Sequence, residues 1–113
     1  MAQEVNHVLV DMLVAIERTE EVTSGLDVVQ FLEDWRAYWI VQRGLEIISE
    51  ASRAIPPEMK EVRAEIPWRQ VAAFGNVLRH EYDGLSPNLI WATVTEHLPP
   101  LKLAIIALRE GNS

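Results

Sequence analysis

The sequence predicts a single all-α domain, an up-and-down bundle of about five helices. Two observations carry this expectation. Apolar residues recur at helical spacing along most of the chain, and no alternating run flanked by hairpin turns signals a strand. The punctuation between the apolar runs is brief: Thr23-Ser24-Gly25, Pro56-Pro57, Asp83-Gly84 and Pro99-Pro100. Short connections favour antiparallel neighbours. A chain of 113 residues is expected to form one domain over residues 1–113, with a modest core that oligomerisation would help.

Residues 3–22 read as a first helix, with Val5, Val8, Leu9, Met12 and Ile16 on one face. Asp27 is placed to cap a short helix over 28–33, because its carboxylate can accept the free amides of the first turn. Residues 34–55 are expected to form the longest helix. Ala37, Ile40, Val41, Gly44, Leu45, Ile47, Ile48, Ala51 and Ile55 fill its wide apolar face. The opposite face holds Arg36, Gln42, Arg43, Glu46, Glu50 and Arg53, together with Trp35 and Trp39. Two large aromatics one turn apart on a polar face need a covering surface. A dimer interface is the favoured explanation, ahead of packing on the short preceding helix and of base stacking beside Arg36 and Arg43.

Pro56-Pro57 stops the long helix, and Glu58–Ala64 has room for one or two turns. The stretch PWRQVAAFGNVLRHEYDG then predicts one helix over 67–82, with Pro67 at its first position and Gly84 just past its end. Ser86-Pro87 starts a segment over 87–98. Pro99-Pro100 is expected to bend the chain before a last short helix carrying Leu101, Ala104, Ile105 and Leu108.

Composition narrows the function. There is no cysteine, hence no disulfide framework and no thiolate metal site. The first residues lack the basic and apolar regions of a signal peptide, and no run approaches ~20 apolar residues. A cytoplasmic location and no membrane partner are the expectations. The net charge of −7 argues against a general nucleic-acid coat protein and against a DNA partner, while leaving room for a small basic site. His7 and Asp11 share a helix face, but no second ligand pair completes a metal site, and His97 before Pro99 reads as a helix-end residue. No metal and no cofactor are expected.

On the 67–82 helix, Trp68, Val71, Phe74, Gly75, Leu78 and Tyr82 form an apolar stripe. Arg69, Asn76 and His80 form a polar stripe beside it, and Arg79 borders the other side. Histidine, with an ordinary pKa of about 6.5, can exchange a proton near neutrality. Asn76 lies one turn before His80 and could orient the imidazole or bind a phosphate oxygen. Arg69 is too distant for the same phosphate, about 16 Å along the axis at ~1.5 Å per residue, unless a second subunit presents it. By spacing alone, a surface or capping histidine near a helix end is the favoured reading of His80, surface solvation that of Arg69 and Arg79, and a solvated helix amide the competing reading of Asn76.

FGNVLRHEY resembles the R-N-x-x-x-H-x-Y signature of the HEPN superfamily, specifically of HepT-type ribonuclease toxins. EDWRAYWIVQRGLEIISEASRAI is similar to that family's long helix ending in a G-E-A box, and the order IPWRQVAAF, HEYDGL, IWATVTEHLPPL follows the family downstream. The resemblance covers roughly residues 28–102. Two positions depart from it: Gly75 stands at the signature arginine, and Ser49 at the glycine of the box. The second departure is expected to change only local packing.

The resemblance implies a HEPN-like fold and a homodimer whose motif helices face each other across a cleft. It also implies metal-independent RNA cleavage and a nucleotidyltransferase antitoxin as partner. His80 would be the acid/base, Asn76 its orienting amide, Arg79 a possible substitute for the missing arginine, and Tyr82 the residue that receives AMP. Glu50 matches the box glutamate, although a pair with Arg43 or Arg53 in its own helix is the simpler expectation. The competing function is a non-catalytic helical partner of a nucleotidyltransferase, which Gly75 favours.

Overall fold

A computed structural model describes residues 2–75 and 87–111, and the regular elements among those residues are all helices, with no strand. Helix α1 spans Ala2–Thr23, α2 Val28–Glu33, α3 Trp35–Ser52, α4 Pro57–Val62 and α5 Trp68–Ala72. Helix α6, Pro87–Ala92, runs through a π-helical turn, Thr93–His97, into α7, Leu98–Gly111. Helix α1, at 22 residues, exceeds α3, at 18, so the expectation that the second long helix is the longest is corrected. The reason is local: Asp34 turns the chain and caps α3 by accepting from the Ala37 amide, while Ser52 rather than Ile55 ends it.

The ends of the other elements follow from their sequence. Gly25, at φ 79°, takes the left-handed conformation that closes α1. Asp27 caps α2 as expected, in a full capping box with Gln30: its carboxylate accepts the Gln30 amide while the Gln30 side chain accepts the Asp27 amide. Phe31 is then driven inward, where it meets Tyr38 of α3 and Trp91 of α6 at ring separations of 5.4 and 5.0 Å.

The core lies between α1, α3 and α7. Leu9, Met12 and Ile16 pack with Val41, Leu45 and Ile48, and with Leu98, Leu101 and Ile105, all essentially without solvent exposure. Each such side chain contributes about 1.5–3 kcal/mol on burial, more than a typical exposed ion pair. Ile40 departs from the expected core face and is exposed. Helices α1 and α7 run antiparallel: Glu20 meets Lys102 at 2.8 Å, and Asn6 and Leu13 border the same groove as Ile106 and Arg109. The Glu20 hydrogen bond and charge hold the Lys102 ammonium above its ordinary pKa. That contact favours the folded state below pH ~10.5 and is lost as pH rises through the folded-state pKa.

The double proline does not break the chain. Pro99 and Pro100 occupy the first turn of α7, where backbone donors are not needed. The π turn makes this possible, because the Leu98 amide reaches back five residues to the Thr93 carbonyl. The expected bend and separate last helix are therefore replaced by continuous helical backbone. His97 sits inside that run, half-buried, rather than at a helix end.

Helices α1 and α3 approach most closely at Gly44. A Cβ there would collide with Thr19 Oγ1, and Thr19 is locked by its own 2.8 Å bond to the Ala15 carbonyl. Gly44→Ala gains helix propensity worth up to ~1 kcal/mol, but overpacking of about 1–3 kcal/mol outweighs it. Urea denaturation should show net destabilisation of Gly44→Ala, and Thr19→Ser/Gly44→Ala, which keeps the hydroxyl, should remain destabilised. Thr19→Ala should remove most of the penalty of adding Gly44→Ala. An undiminished penalty in that background would refute this account of the contact.

Candidate nuclease site

The expected helix over 67–82 begins one residue late and is interrupted. Pro67 is the residue before the first turn, Trp68 opens α5, and regular helix stops at Ala72. Ala73 adopts φ −90°, ψ 1°, and helical geometry resumes at Phe74 and Gly75. The cause is tertiary. Two side chains from the end of α3 bind the Ala72 carbonyl: Ser49 Oγ donates at 2.6 Å, and Nη2 of Arg53, the residue that caps α3, at 3.0 Å. A carbonyl has two lone pairs, and both are engaged here.

Ser49 does more than alter packing. Its hydroxyl also accepts the Gly75 amide, at 3.4 Å, so one side chain bridges both sides of the interruption. The two positions that depart from the HepT-type pattern, Ser49 and Gly75, are therefore neighbours in space. A Cβ at residue 75 would meet Ser49 Oγ at 3.6 Å, an ordinary van der Waals contact. A Cβ is therefore tolerated at that position among the described residues.

Below this junction, Val71 and Phe74 are buried, as the apolar stripe requires, and Trp68 and Gly75 are partly covered. Trp68 fixes the start of α5: its indole N–H donates to the Lys60 and Arg63 carbonyls at 3.2 and 3.0 Å, satisfying the end of α4. The ring of His97 lies 6.3 Å from that of Phe74, which places a second histidine close to the start of the motif. Sequence spacing gave no sign of this, because 22 intervening residues separate His97 from Phe74 along the chain.

Asn76, Arg79, His80 and Tyr82 lie outside the described residues, as do Leu78 and Gly84. Of the supporting residues, Glu50 is exposed on α3, and neither expected helical partner pairs with it. Arg43 instead binds Glu46 at 3.2 Å, and Arg53 turns to the Ala72 carbonyl. A backbone acceptor supplied by another element displaced the helical pair. Arg69 is exposed on α5. The missed contributor is Arg53; its i+3 spacing from Glu50 was visible, but the acceptor that claims it is 19 residues away.

Trp35 and Trp39 are 60% and 66% exposed, so the short helix α2 does not cover them. Their rings meet edge-on at 5.4 Å and border a shallow groove with Leu32, Tyr38 and Pro87. The Arg36 guanidinium lies 5.3 Å from the Trp35 ring centre. The described residues contain no cluster of histidine, cysteine, aspartate or glutamate able to hold a metal, and no helix long and apolar enough to cross a membrane.

Comparison with known proteins gives a family match over most of the chain. The family model for "Ribonuclease HepT-like" matches residues 12–108. A Thermococcus cleftensis protein described as "Probable ribonuclease HepT" is 41% identical over 102 residues, covering 90% of this chain and 93% of its own. A "Putative RNase" of Methanocaldococcus jannaschii is 33% identical over 100 residues, covering 88% and 92%. Another "Putative RNase", from Caldanaerobacter subterraneus subsp. tengcongensis, is 32% identical over 96 residues, covering 85% and 82%. No solved structure matches. With the family model spanning most of its length and its motif segments joined through α3, this chain belongs to the HepT-like ribonuclease family.

Proposed function

We propose that this protein is an endoribonuclease toxin of the HepT type, cutting RNA without a metal at a site shared by two subunits. The observation that carries the proposal is the Ser49 junction, which holds the S-E-A end of α3 against the first residues of the F-G-N-V-L-R-H-E-Y motif. In this mechanism His80 removes the proton of a ribose 2′-hydroxyl. The oxygen attacks phosphorus, the P–O5′ bond breaks, and the leaving 5′ oxygen takes up a proton, leaving a 2′,3′-cyclic phosphate. Asn76 orients the imidazole, and Arg79 supplies positive charge.

Gly75 supports a second reading, in which the protein is a non-catalytic partner of a nucleotidyltransferase. Removal of one charge-stabilising donor costs about 10²–10³-fold in rate in other enzymes. The two readings separate in one assay. The toxin reading expects RNA cleavage that resists EDTA and is lost in His80→Ala. Gly75→Arg, whose Cβ would make only an ordinary contact with Ser49, should raise the rate by about 10-fold or more. Cleavage that survives His80→Ala would exclude the assigned acid/base. No cleavage by the wild type or by Gly75→Arg would favour the accessory role.

Two partners belong to this proposal. The exposure of Trp35 and Trp39 supports a homodimer. Sedimentation at micromolar concentration should find a dimer, and a monomer at every concentration would refute it. The second partner is a nucleotidyltransferase-type antitoxin that transfers AMP from ATP to the Tyr82 hydroxyl, releasing pyrophosphate. The added anion would repel RNA phosphates. Co-expression should raise the intact mass by one or more AMP units, and Tyr82→Phe should abolish the gain; a gain that persists places the modification elsewhere.

A further inference from the structure

We propose that Arg53 is a phosphate-binding residue of this site, supplying from α3 the positive charge that position 75 lacks. This assignment rests on the ribonuclease reading above. Three observations carry it. The Arg53 guanidinium is held at the Ala72 carbonyl, at the end of α5 and three residues before Gly75. The same carbonyl is bound by Ser49 Oγ, which also accepts the Gly75 amide and would lie 3.6 Å from a Cβ at position 75. Arg53 and position 75 therefore meet at one junction. Finally, Arg53 is exposed, and Glu50, its expected helical partner, leaves it free of an ion pair among the described residues.

The bond to Ala72 uses one of five N–H donors, and the rest of the fork can meet a phosphate in the bidentate manner that suits arginine. The tether also lowers the cost of binding, because the side chain is already ordered where it would act. On a protein of net charge −7, a cation fixed at the start of the motif offsets the repulsion an RNA phosphate would otherwise meet. Arg43, on the same polar face, is paired with Glu46 instead.

The test is binding of an uncleavable 2′-O-methyl oligoribonucleotide, followed by fluorescence anisotropy across a salt series. Arg53→Ala should weaken binding about 10-fold and reduce the slope of log affinity against log salt by about 0.7, the loss of one single-strand phosphate contact. Arg53→Lys should keep the slope, and Gly75→Arg should restore it in the Arg53→Ala protein. A purely structural role would lower the melting temperature and leave the slope unchanged; that result overturns the assignment, as does unchanged affinity in Arg53→Ala. Cleavage of unmodified RNA is measured in parallel. Wild-type binding that depends on Arg53 without cleavage would sink the nuclease reading alone, whereas cleavage with Arg53-independent binding would sink this proposal alone. A wild type that does not bind the analogue overturns it as well.

Discussion

The architecture depends on α3 packing without a Cβ at Gly44. Thr19 fills the space that a side chain would take, and its hydroxyl is bound back to the Ala15 carbonyl of its own helix. The two backbones can then lie close, and Leu9, Met12 and Ile16 mesh with Val41, Leu45 and Ile48. With one face fixed in this way, α3 presents its C-terminal turns to α5. Ser49 and Arg53 reach Ala72 from a helix that the core has already made rigid.

That arrangement shows how a departure from a family pattern can be structural and chemical at once. Ser49 replaces a glycine of the box and inserts a hydroxyl where the motif segment begins. The hydroxyl gives its proton to one backbone group, Ala72, and accepts from another, Gly75. Its neighbour Gly75 lacks the arginine of the signature, and a Cβ there would make an ordinary contact with Ser49 Oγ. Arg53, just past the end of α3, brings a guanidinium to the same Ala72 carbonyl.

Much of the fold was legible in the sequence because local rules and burial agree. The apolar spacing of α1 and α3 reports faces that are in fact buried, and the Asp27 box caps α2 as its chemistry requires. Disagreements arose where a local rule met a neighbour. Pro99-Pro100 forbids an ordinary helix interior, but a π turn moves the prolines into a first turn. The run from Trp68 to Gly75 reads as uninterrupted helix, yet α3 takes the Ala72 carbonyl away from it. Glu50 and Arg53 have helical spacing for an ion pair, but an acceptor on another element won.

The sequence by itself determined the helical class, the family signature, the missing arginine at Gly75 and the excess of negative charge. These are properties of residue type and spacing, which survive without coordinates. Only the tertiary structure decided that Ser49 touches Gly75, that Arg53 leaves its own helix for Ala72, that His97 lies against Phe74, and that Trp35 and Trp39 stay uncovered. Hydrogen bonds and contacts between residues 19 to 26 positions apart, as at this junction, depend on how helices cross, and helix crossing is set by core packing rather than by any local pattern.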